Sequence, residues 1–265
     1  VRALYLDALL HSYSDIDDPY YLRYSYEKVF ADLATYIGRT DPDMDVLFIG
    51  GGGYTMPRFL EAMYPRSNLE VVEIDPEVTK IATDYLGLSR RTRIVTYNED
   101  ARTRLQQLEV GNYEMVMGDA FNDVSVPYHL TTQEFNEQVK DLLADDGIYA
   151  VNIVDKMYGG RFLRSFVHTM QETFDHVYVI RDDSRWTSDD RYTFVVAASD
   201  EPITQARVEE ANNLEGRFTV VTEFMPQSAF SKWQNTQDNV LLTDDFVPVD
   251  GMLAPLYLES RAIPR

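Results

Sequence analysis

The most constraining feature of the sequence is a regular alternation of short apolar runs with helical patterns. Runs of strand length lie at 46–49, 69–74, 93–96, 114–117 and 148–153, and two more follow at 176–180 and 193–198. Helical patterns lie between the main runs, at 57–64, 76–86, 101–108, 132–143 and 160–174. Continuous apolar strands joined by helices bury both faces of a sheet. The pattern therefore predicts an α/β fold, with a mostly parallel twisted sheet and helices on both faces.

The two ends of the chain depart from this alternation. Residues 1–40 begin with the strand-like sequence VRALYLDALLH, pass through a polar turn and end in a helical pattern from about residue 20 to residue 37. A helical pattern at 203–214 is followed by irregular, aromatic sequence. We therefore predict a small N-terminal β element with its helix in residues 1–40, and one large α/β domain in residues 41–265.

Composition excludes several classes of protein. The 265 residues carry a net charge of −20, from 24 basic and 44 acidic residues, which argues against a nucleic-acid partner and against docking on anionic lipid. The absence of cysteine excludes disulfides and thiolate chemistry. No apolar run reaches the roughly 18 residues of a membrane helix. Because the chain begins at Val1 rather than at methionine, we expect a segment upstream of it in the full-length protein.

Consecutive glycines follow the first strand of the predicted sheet, at Gly50, Gly51, Gly52 and Gly53. In open α/β sheets, ligands bind where such a strand turns into its helix, and glycine allows the backbone to approach a ligand closely. The dinucleotide pattern G-x-G-x-x-G fails, because its third glycine would fall on Thr55 or Met56. The loop therefore serves either a ligand without a diphosphate or a tight structural turn. Thr55 is the expected N-cap of the next helix.

Acidic residues follow the second and third strands of the sheet. Glu73 ends an otherwise apolar strand, where a carboxylate is costly unless it is used, and it can accept the two hydroxyls of a ribose. Asp75 can start the next helix. Asp100 can cap a helix or accept the amino group of an adenine, and both roles remain open. A glycine loop, a ribose acid and an adenine acid together describe an adenosine pocket of the S-adenosylmethionine type.

The fourth strand leads into the acidic sequence GDAFND. Asp119 leaves the carboxyl end of this strand beside the same crevice, and Asp123 follows it. Two carboxylates there can hold and deprotonate an amine. The alternative is a loop in which Asn122 and Asp123 make turns. No metal is expected, since the aspartates at 41–45 fail the EF-hand pattern and the histidines have no zinc-ligand spacing.

Several stretches together resemble the spermidine synthase (polyamine aminopropyltransferase) family, and especially the spermidine-synthase-like domains that are fused to membrane segments. The similarity is clear from residue 4 to residue 153. Its motifs are LYLDALLH, SYEKVFADL, VLFIGGGGYTMPR, VEID, EDAR and VMGDAFND, and LLTDDFVPVDGMLAP resembles the C-terminal stretch of the fused subgroup.

The resemblance implies a Rossmann-like fold and a role for each matching residue. It implies that Asp100 and Ala101 lie at the adenine and that Asp119 is the catalytic aspartate. It implies that Tyr26 is the pocket tyrosine and that Glu27 replaces a glutamine that contacts substrate. His11 replaces a glutamine of the family, and we expect it near the pocket.

Other positions depart from the family pattern. The family's acid after the third glycine, which helps to hold the amino group of decarboxylated S-adenosylmethionine, is Gly53 here. Tyr54 and Thr55 replace the two glycines that follow, and we expect Tyr54 to line an altered tail pocket. Asp123 lies one place later than the family's second aspartate. The adenosine half of the pocket is therefore kept, and the half that recognises the amine is changed.

Three classes of function remain open. The resemblance implies an aminopropyltransferase that uses decarboxylated S-adenosylmethionine as co-substrate and a small polyamine or other amine as acceptor. The alternatives are an S-adenosylmethionine-dependent methyltransferase and a non-catalytic domain that binds adenosyl compounds or polyamines. A homodimer is expected. The expected location is the cytoplasm, with the full-length protein either free or tethered to the inner face of the membrane by its upstream segment.

Overall fold

The chain folds around one twisted sheet with a separate hairpin at its start. The structure, a computed structural model, describes residues 1–6, 9–120, 126–216, 218–235 and 239–262. Within these ranges the strands are β1 (Arg2–Leu6), β2 (Leu9–Ser14), β3 (Asp45–Ile49), β4 (Asn68–Val72), β5 (Val95–Tyr97), β6 (Tyr113–Gly118), β7 (Leu143–Asp155), β8 (His176–Arg181), β9 (Tyr192–Ser199) and β10 (Glu223–Phe224). The helices are α1 (Ser25–Gly38), α2 (Thr55–Met63), α3 (Pro76–Tyr85), α4 (Ala101–Leu105), α5 (Gln133–Leu142), α6 (Phe162–Gln171), α7 (Gln205–Glu215), α8 (Gln227–Gln234) and α9 (Val249–Ala262).

The central sheet confirms the predicted fold class. Its strands lie in the order β10-β8-β9-β7-β6-β3-β4-β5. The strands from β5 to β7 are parallel neighbours, whereas β9 runs antiparallel between β7 and β8, and β10 runs antiparallel to β8. Most of the sheet is therefore parallel, and the reversal is confined to one half. This is a Rossmann-like fold.

Alternate side chains of each central strand enter different layers. In β3, Leu47 and Ile49 pack with the helices α4, α5, α6, α8 and α9. Val46 and Phe48 pack on the opposite face with α1, α2 and α7. This two-sided burial explains why the strands read as continuous apolar runs rather than as alternating ones. The helices α8 and α9 lie in sequence that we expected to be irregular, so that expectation was wrong.

The N-terminal element is smaller than the sequence suggested. β1 and β2 form their own two-stranded antiparallel sheet. Helix α1 instead packs on the central sheet, and its Asp32 accepts hydrogen bonds from the backbone N–H of Val221 and from both the N–H and the hydroxyl of Thr222. Because α1 shares the core of the larger unit, we propose that the domain boundary follows Ser14 rather than residue 40.

Helix α2 begins differently from the prediction. Tyr54 stands before its first residue in the left-handed conformation, with φ of 56°, and its ring is fully buried. Its hydroxyl lies 3.1 Å from the hydroxyls of both Thr79 and Thr96. Thr55 is therefore not the N-cap. Its hydroxyl donates instead to the carbonyl of Tyr13 in the hairpin, and this bond ties β2 to the start of α2.

Tyr54→Phe tests whether this tyrosine is structural. Removing the hydroxyl leaves the ring packed but takes a buried partner from Thr79 and Thr96. We therefore expect the free energy of unfolding to fall by about 1–2 kcal/mol in urea titrations. The affinity of the cleft described below for its ligands should not change. A loss of affinity without a loss of stability would contradict the structural role.

Candidate active site

A cleft of about 750 Å³ opens at the carboxyl ends of the parallel strands. β3, β4, β6 and β7 all deliver residues to it, and the first residues of the antiparallel β9 reach the same edge. The β1–β2 hairpin and the start of α1 form its other wall. Among its lining residues are Ser12, Tyr24, Tyr26, Glu27, Gly50, Gly51, Gly52, Gly53, Glu73, Asp100, Asp119, His129, Asn152 and Arg191.

The glycine loop needs its glycines for two separate reasons. Gly50 has φ of 98°, and a Cβ on it would lie only 2.6 Å from the backbone carbonyl oxygen of Asp119. Gly52 also has a positive φ, of 47°. Residues with a side chain rarely adopt that conformation, and at Gly50 there is no room for one. The loop can therefore run close to both the end of β6 and the cleft.

Glu73 holds this loop in place. Its Oε2 accepts hydrogen bonds from the N–H groups of Gly51 and Gly52, at 2.9 Å and 3.2 Å, and its Oε1 accepts one from the N–H of Asp75 at 2.9 Å. The side chain is buried but lines the cleft. A carboxylate has roughly four lone-pair sites, and Oε2 already uses both of its own, so Oε1 keeps one for a ligand hydroxyl while Glu73 holds the loop in shape.

Asp100 combines a structural bond with a position in the cleft. Its Oδ1 accepts from the N–H of Thr103 and so caps α4, and its Oδ2 lies 2.8 Å from Nε2 of His129. Burial acts to raise the pKa of Asp100, but the bonds from His129 and Thr103 outweigh it and the pKa lies below its usual value. The carboxylate is therefore ionised at neutral pH and can accept an amino group. Ala101 lines the cleft beside it.

Asp119 lies at the end of β6, between two donors. The hydroxyl of Tyr26 donates to its Oδ2 over 3.2 Å, and Nδ2 of Asn152 donates to its Oδ1 over 2.7 Å. Burial raises the pKa of Asp119 to about 7, and the charge of Glu73 adds to the rise, although the two hydrogen bonds oppose it. A carboxyl group with such a pKa can take up and release a proton near neutral pH.

Glu27 is a second acid in the same part of the cleft. Only 2% of its surface is exposed, and its Oε2 accepts a hydrogen bond from the N–H of Tyr24 at the start of α1. Burial raises the pKa of Glu27 to about 8; the hydrogen bond from Tyr24 lowers it, and the charge of Asp119 raises it further. The buried Glu27 and the partly buried Asp119 make this end of the cleft a favourable place for a cation.

Known proteins with a similar sequence include transferases of two kinds. The sequence model of the spermine/spermidine synthase domain matches residues 28–181, more than half of the chain. The chain belongs to this family. It is 35% identical to a polyamine aminopropyltransferase of Vibrio vulnificus over 142 residues, which are 52% of this chain and 46% of that protein. It is 27% identical to the human eEF1A lysine and N-terminal methyltransferase over 147 residues, 51% of this chain and 21% of that one.

Solved structures support the fold. A probable spermidine synthase from Corynebacterium glutamicum superposes with a TM-score of 0.76 at 22% identity, over 88% of this chain and 86% of that one. At that identity the likeness establishes the architecture alone. In sequence, the chain spans half or less of the length of the curated proteins named above. The predicted resemblance to the spermidine synthase family and the predicted Rossmann-like fold are both confirmed.

Most of the residues that we assigned to the pocket of this spermidine synthase family member do line one cleft. His11 lies there, and burial lowers its pKa while the charge of Glu73 opposes that shift. Tyr54 does not, because its ring is packed inside the α2 layer and its hydroxyl contacts threonines. The expectation that Tyr54 lines a tail pocket was wrong. Asp123 lies outside the described residues.

Ser12, Asn152 and Arg191 are among the polar cleft residues that sequence reasoning missed. Asn152 had a signal, since an amide in the apolar run YAVNIV is as costly as the carboxylate that drew attention to Glu73. Ser12 and Arg191 had none, because they reach the cleft only through the pairing of β1 with β2 and of β9 with β7. Within the described ranges no group of acidic or histidine side chains could hold a metal ion, and no helix is long and apolar enough to cross a membrane.

Glu27→Gln tests the burial of this acid through stability. Burial raises the pKa of Glu27 in the folded protein above its pKa in the unfolded chain. The folded protein therefore loses stability as the pH rises above the unfolded-state pKa, and the loss is complete above the folded-state pKa of about 8. Glutamine keeps an oxygen for Tyr24 but carries no charge. We expect the gain in free energy of unfolding over the wild type to be about 2 kcal/mol larger at pH 9 than at pH 5.

Urea unfolding at the two pH values measures this difference. Glu210→Gln, on the exposed face of α7, is the matched control and should show no such pH-dependent gain. An equal effect of Glu27→Gln at pH 5 and pH 9 would mean that the carboxyl group is not desolvated in the fold.

Proposed function

We propose that this chain transfers an aminopropyl group from decarboxylated S-adenosylmethionine to a small amine and releases methylthioadenosine. One observation carries the proposal. Asp119, with its pKa raised to about 7 and both oxygens held by Tyr26 and Asn152, opens on the same cleft as the glycine loop and Glu73. Membership of the spermidine synthase family supports it.

The adenosine part of the donor fits the kept half of the cleft. A ribose hydroxyl would be accepted by the remaining lone pair on Oε1 of Glu73, and the adenine amino group by Asp100. Ile74 lies between these acids in the chain and is 68% exposed in the cleft, where it offers an apolar surface to the base. With the nucleoside in this position, its 5′ carbon and sulfur would lie over the glycine loop, next to the end of β6.

The chemistry then requires a neutral amine in line with the bond to sulfur. The amine nitrogen forms a bond to the propyl carbon, the carbon–sulfur bond breaks, and its electron pair stays on sulfur as the thioether. An amine arrives as an ammonium, so one proton must leave before the attack and Asp119 accepts it. Positioning of the amine against the sulfonium supplies much of the rate.

The surroundings of Asp119 fit this task. Burial and the neighbouring charge of Asp119 raise the pKa of Tyr26, so its phenol stays protonated and serves as a donor. Tyr26 and Asn152 fix the plane of the carboxylate, and Glu27 adds a second acid for a cationic acceptor. A bound sulfonium would lower the pKa of Asp119, because it stabilises the charged form. The base is therefore more fully ionised in the complex than in the free protein.

A methyltransferase is the second candidate, and the residue at position 53 favours it. Gly53 brings no carboxylate to the donor tail, so the carboxylate of intact S-adenosylmethionine would meet no repulsion there. The partial similarity to a methyltransferase supports keeping this alternative.

We propose a homodimer on the basis of the resemblance alone, and sedimentation at micromolar concentration would test it. A membrane tether in the full-length protein is likewise a proposal, which fractionation of cells would test.

Glu73→Gln tests the nucleoside site. Methylthioadenosine should raise the melting temperature of the wild type by mass action on the folded state. The glutamine side chain has one acceptor oxygen in place of two, so it loses charge-assisted bonds to the ribose and to the loop amides. We expect its affinity for methylthioadenosine, measured by calorimetry, to fall at least about tenfold. A wild type that shows no shift at millimolar nucleoside would remove the donor assignment.

Asp119→Asn tests the base. Loss of a general base costs about 10²–10⁴ in rate, so we expect turnover to fall at least about a hundredfold while methylthioadenosine still binds. In the wild type, kcat/KM should rise with pH and level off above about 7, because Asp119 must be ionised to accept the proton. That acid limb should disappear in the variant's residual activity. A near-normal rate would place the chemistry on another group.

Product masses distinguish the classes of function. The protein is incubated with each sulfonium and a panel of diamines, and the products are weighed. An aminopropyl increment with methylthioadenosine supports the proposal. A methyl increment with S-adenosylhomocysteine replaces it with the second candidate. Nucleoside binding without any product leaves a non-catalytic adenosyl-binding domain.

A further inference from the structure

The β2 hairpin strand brings one unusual hydroxyl into the cleft. Ser12 is only 6% exposed, and it lines the cleft beside Gly53, the last residue of the glycine loop. Within the described ranges its Oγ is buried without any hydrogen-bond partner. An unsatisfied buried hydroxyl costs free energy, so most such groups in folded proteins are paired with protein, water or a ligand. Its position in the wall of the cleft points to a ligand.

Ser12 stands where a side chain of residue 53 would be. A Cβ built on Gly53 would lie 2.2 Å from the Oγ of Ser12 and 3.0 Å from that of Ser14. Ser14 is two residues along the same strand and therefore on the same face. Its hydroxyl donates to the carbonyl of Gly53 over 3.1 Å and lies 3.0 Å from the hydroxyl of Thr55. Ser14 is thus fully engaged, and Ser12 is not.

We infer that the Ser12 hydroxyl binds the tail of the sulfonium donor and allows the chain to accept decarboxylated and intact tails alike. This inference rests on the proposed function. With adenosine between Asp100 and Glu73, the sulfur lies over a loop whose first glycine, Gly50, adjoins Asp119 and whose last, Gly53, adjoins Ser12. The reacting carbon faces the Asp119 end, so the far end of the chain on sulfur extends towards Ser12.

Ser12 and Gly53 form one corner of the cleft, and the hydroxyl of Ser12 gives this corner a polar group without a charge. It can accept a hydrogen bond from the ammonium that ends a decarboxylated tail, and it can donate one to the carboxylate of an intact tail. Gly53 adds only backbone, and a charged side chain there would collide with the hairpin. Selection between the two donors by charge is therefore absent at this corner, and an acid placed at Ser12 would restore it.

Three stable thioethers test the inference by calorimetry on the whole chain: methylthioadenosine, which has no tail, decarboxylated S-adenosylhomocysteine and S-adenosylhomocysteine. Ser12→Ala should weaken both ligands with tails about three- to tenfold, the range of one neutral hydrogen bond, and leave methylthioadenosine unchanged. The variant's melting temperature without ligand should not fall, since no bond within the protein is lost. Ser12→Asp should tighten the decarboxylated ligand and weaken the intact one, changing their ratio at least about tenfold.

Ser14→Ala is the matched control. It removes a hydroxyl from the same face of β2, but one that is bonded to Gly53 and Thr55. We expect a lower melting temperature and unchanged ratios among the three ligands. Equal effects of Ser12→Ala on all three ligands, or none on any, would overturn the inference, as would a Ser14→Ala variant that shifts the ratios in the same way.

The outcome also distinguishes the inference from the proposed function. If no nucleoside binds, both are wrong. If the ligands with tails depend on Ser12 but no aminopropyl product forms, the tail contact stands and the proposed reaction does not. If Ser12→Asp fails to fold, Ser12→Ala and its control still decide, because both remove atoms only.

Discussion

The carboxylate of Glu73 is the interaction on which the rest of the site depends. Its two oxygens accept three backbone N–H groups, two from the glycine loop and one from Asp75 at the start of α3. These bonds join the ends of β3 and β4 across the crevice and fix the path of a loop that has no side chains to pack. Because the loop is fixed, Gly50 can lie against the carbonyl of Asp119, and the proposed nucleoside and amine ends of the cleft keep one relative position.

The end of the cleft that holds Asp119 and Glu27, the proposed amine site, differs from the glycine loop because its carboxylates are poorly solvated. Asp119 and Glu27 lie where their charged forms are poorly solvated, so the pKa of Asp119 is raised to about 7 and that of Glu27 to about 8. This costs stability at neutral pH, as strained or desolvated groups at functional sites commonly do. In the proposed reaction, a cationic acceptor and a sulfonium would stabilise these charged forms. The net charge of −20 includes these two acids of the cleft, Asp119 and Glu27, whose charged forms a bound cation would stabilise. The net charge alone could not have located them.

The sequence predicted the parts of the site that depend on local order along the chain. Strand–helix alternation gave the sheet and its crevice, and the positions just after β3, β4 and β6 gave the glycine loop, Glu73 and Asp119. It could not predict features that arise from contacts between distant segments. Tyr54 was placed in the cleft because it follows the loop, but threonines from α3 and from β5 bind its hydroxyl inside the core. Helices α8 and α9 were missed because their sequence has no clear helical pattern. They pack on the layer formed by α4, α5 and α6, and this contact between distant segments is not visible in the local sequence.

Gly53 and Ser12 show why a motif read one position at a time gives an incomplete account. The resemblance implied that the family's acid had been lost at residue 53 and that Tyr54 and Thr55 replaced the two glycines after it. In the structure the hairpin occupies that place, and Thr55 fastens it there through the carbonyl of Tyr13. Glycine at residue 53 is thus required by the position of β2. The polar group beside it comes from Ser12, which lies much earlier in the chain.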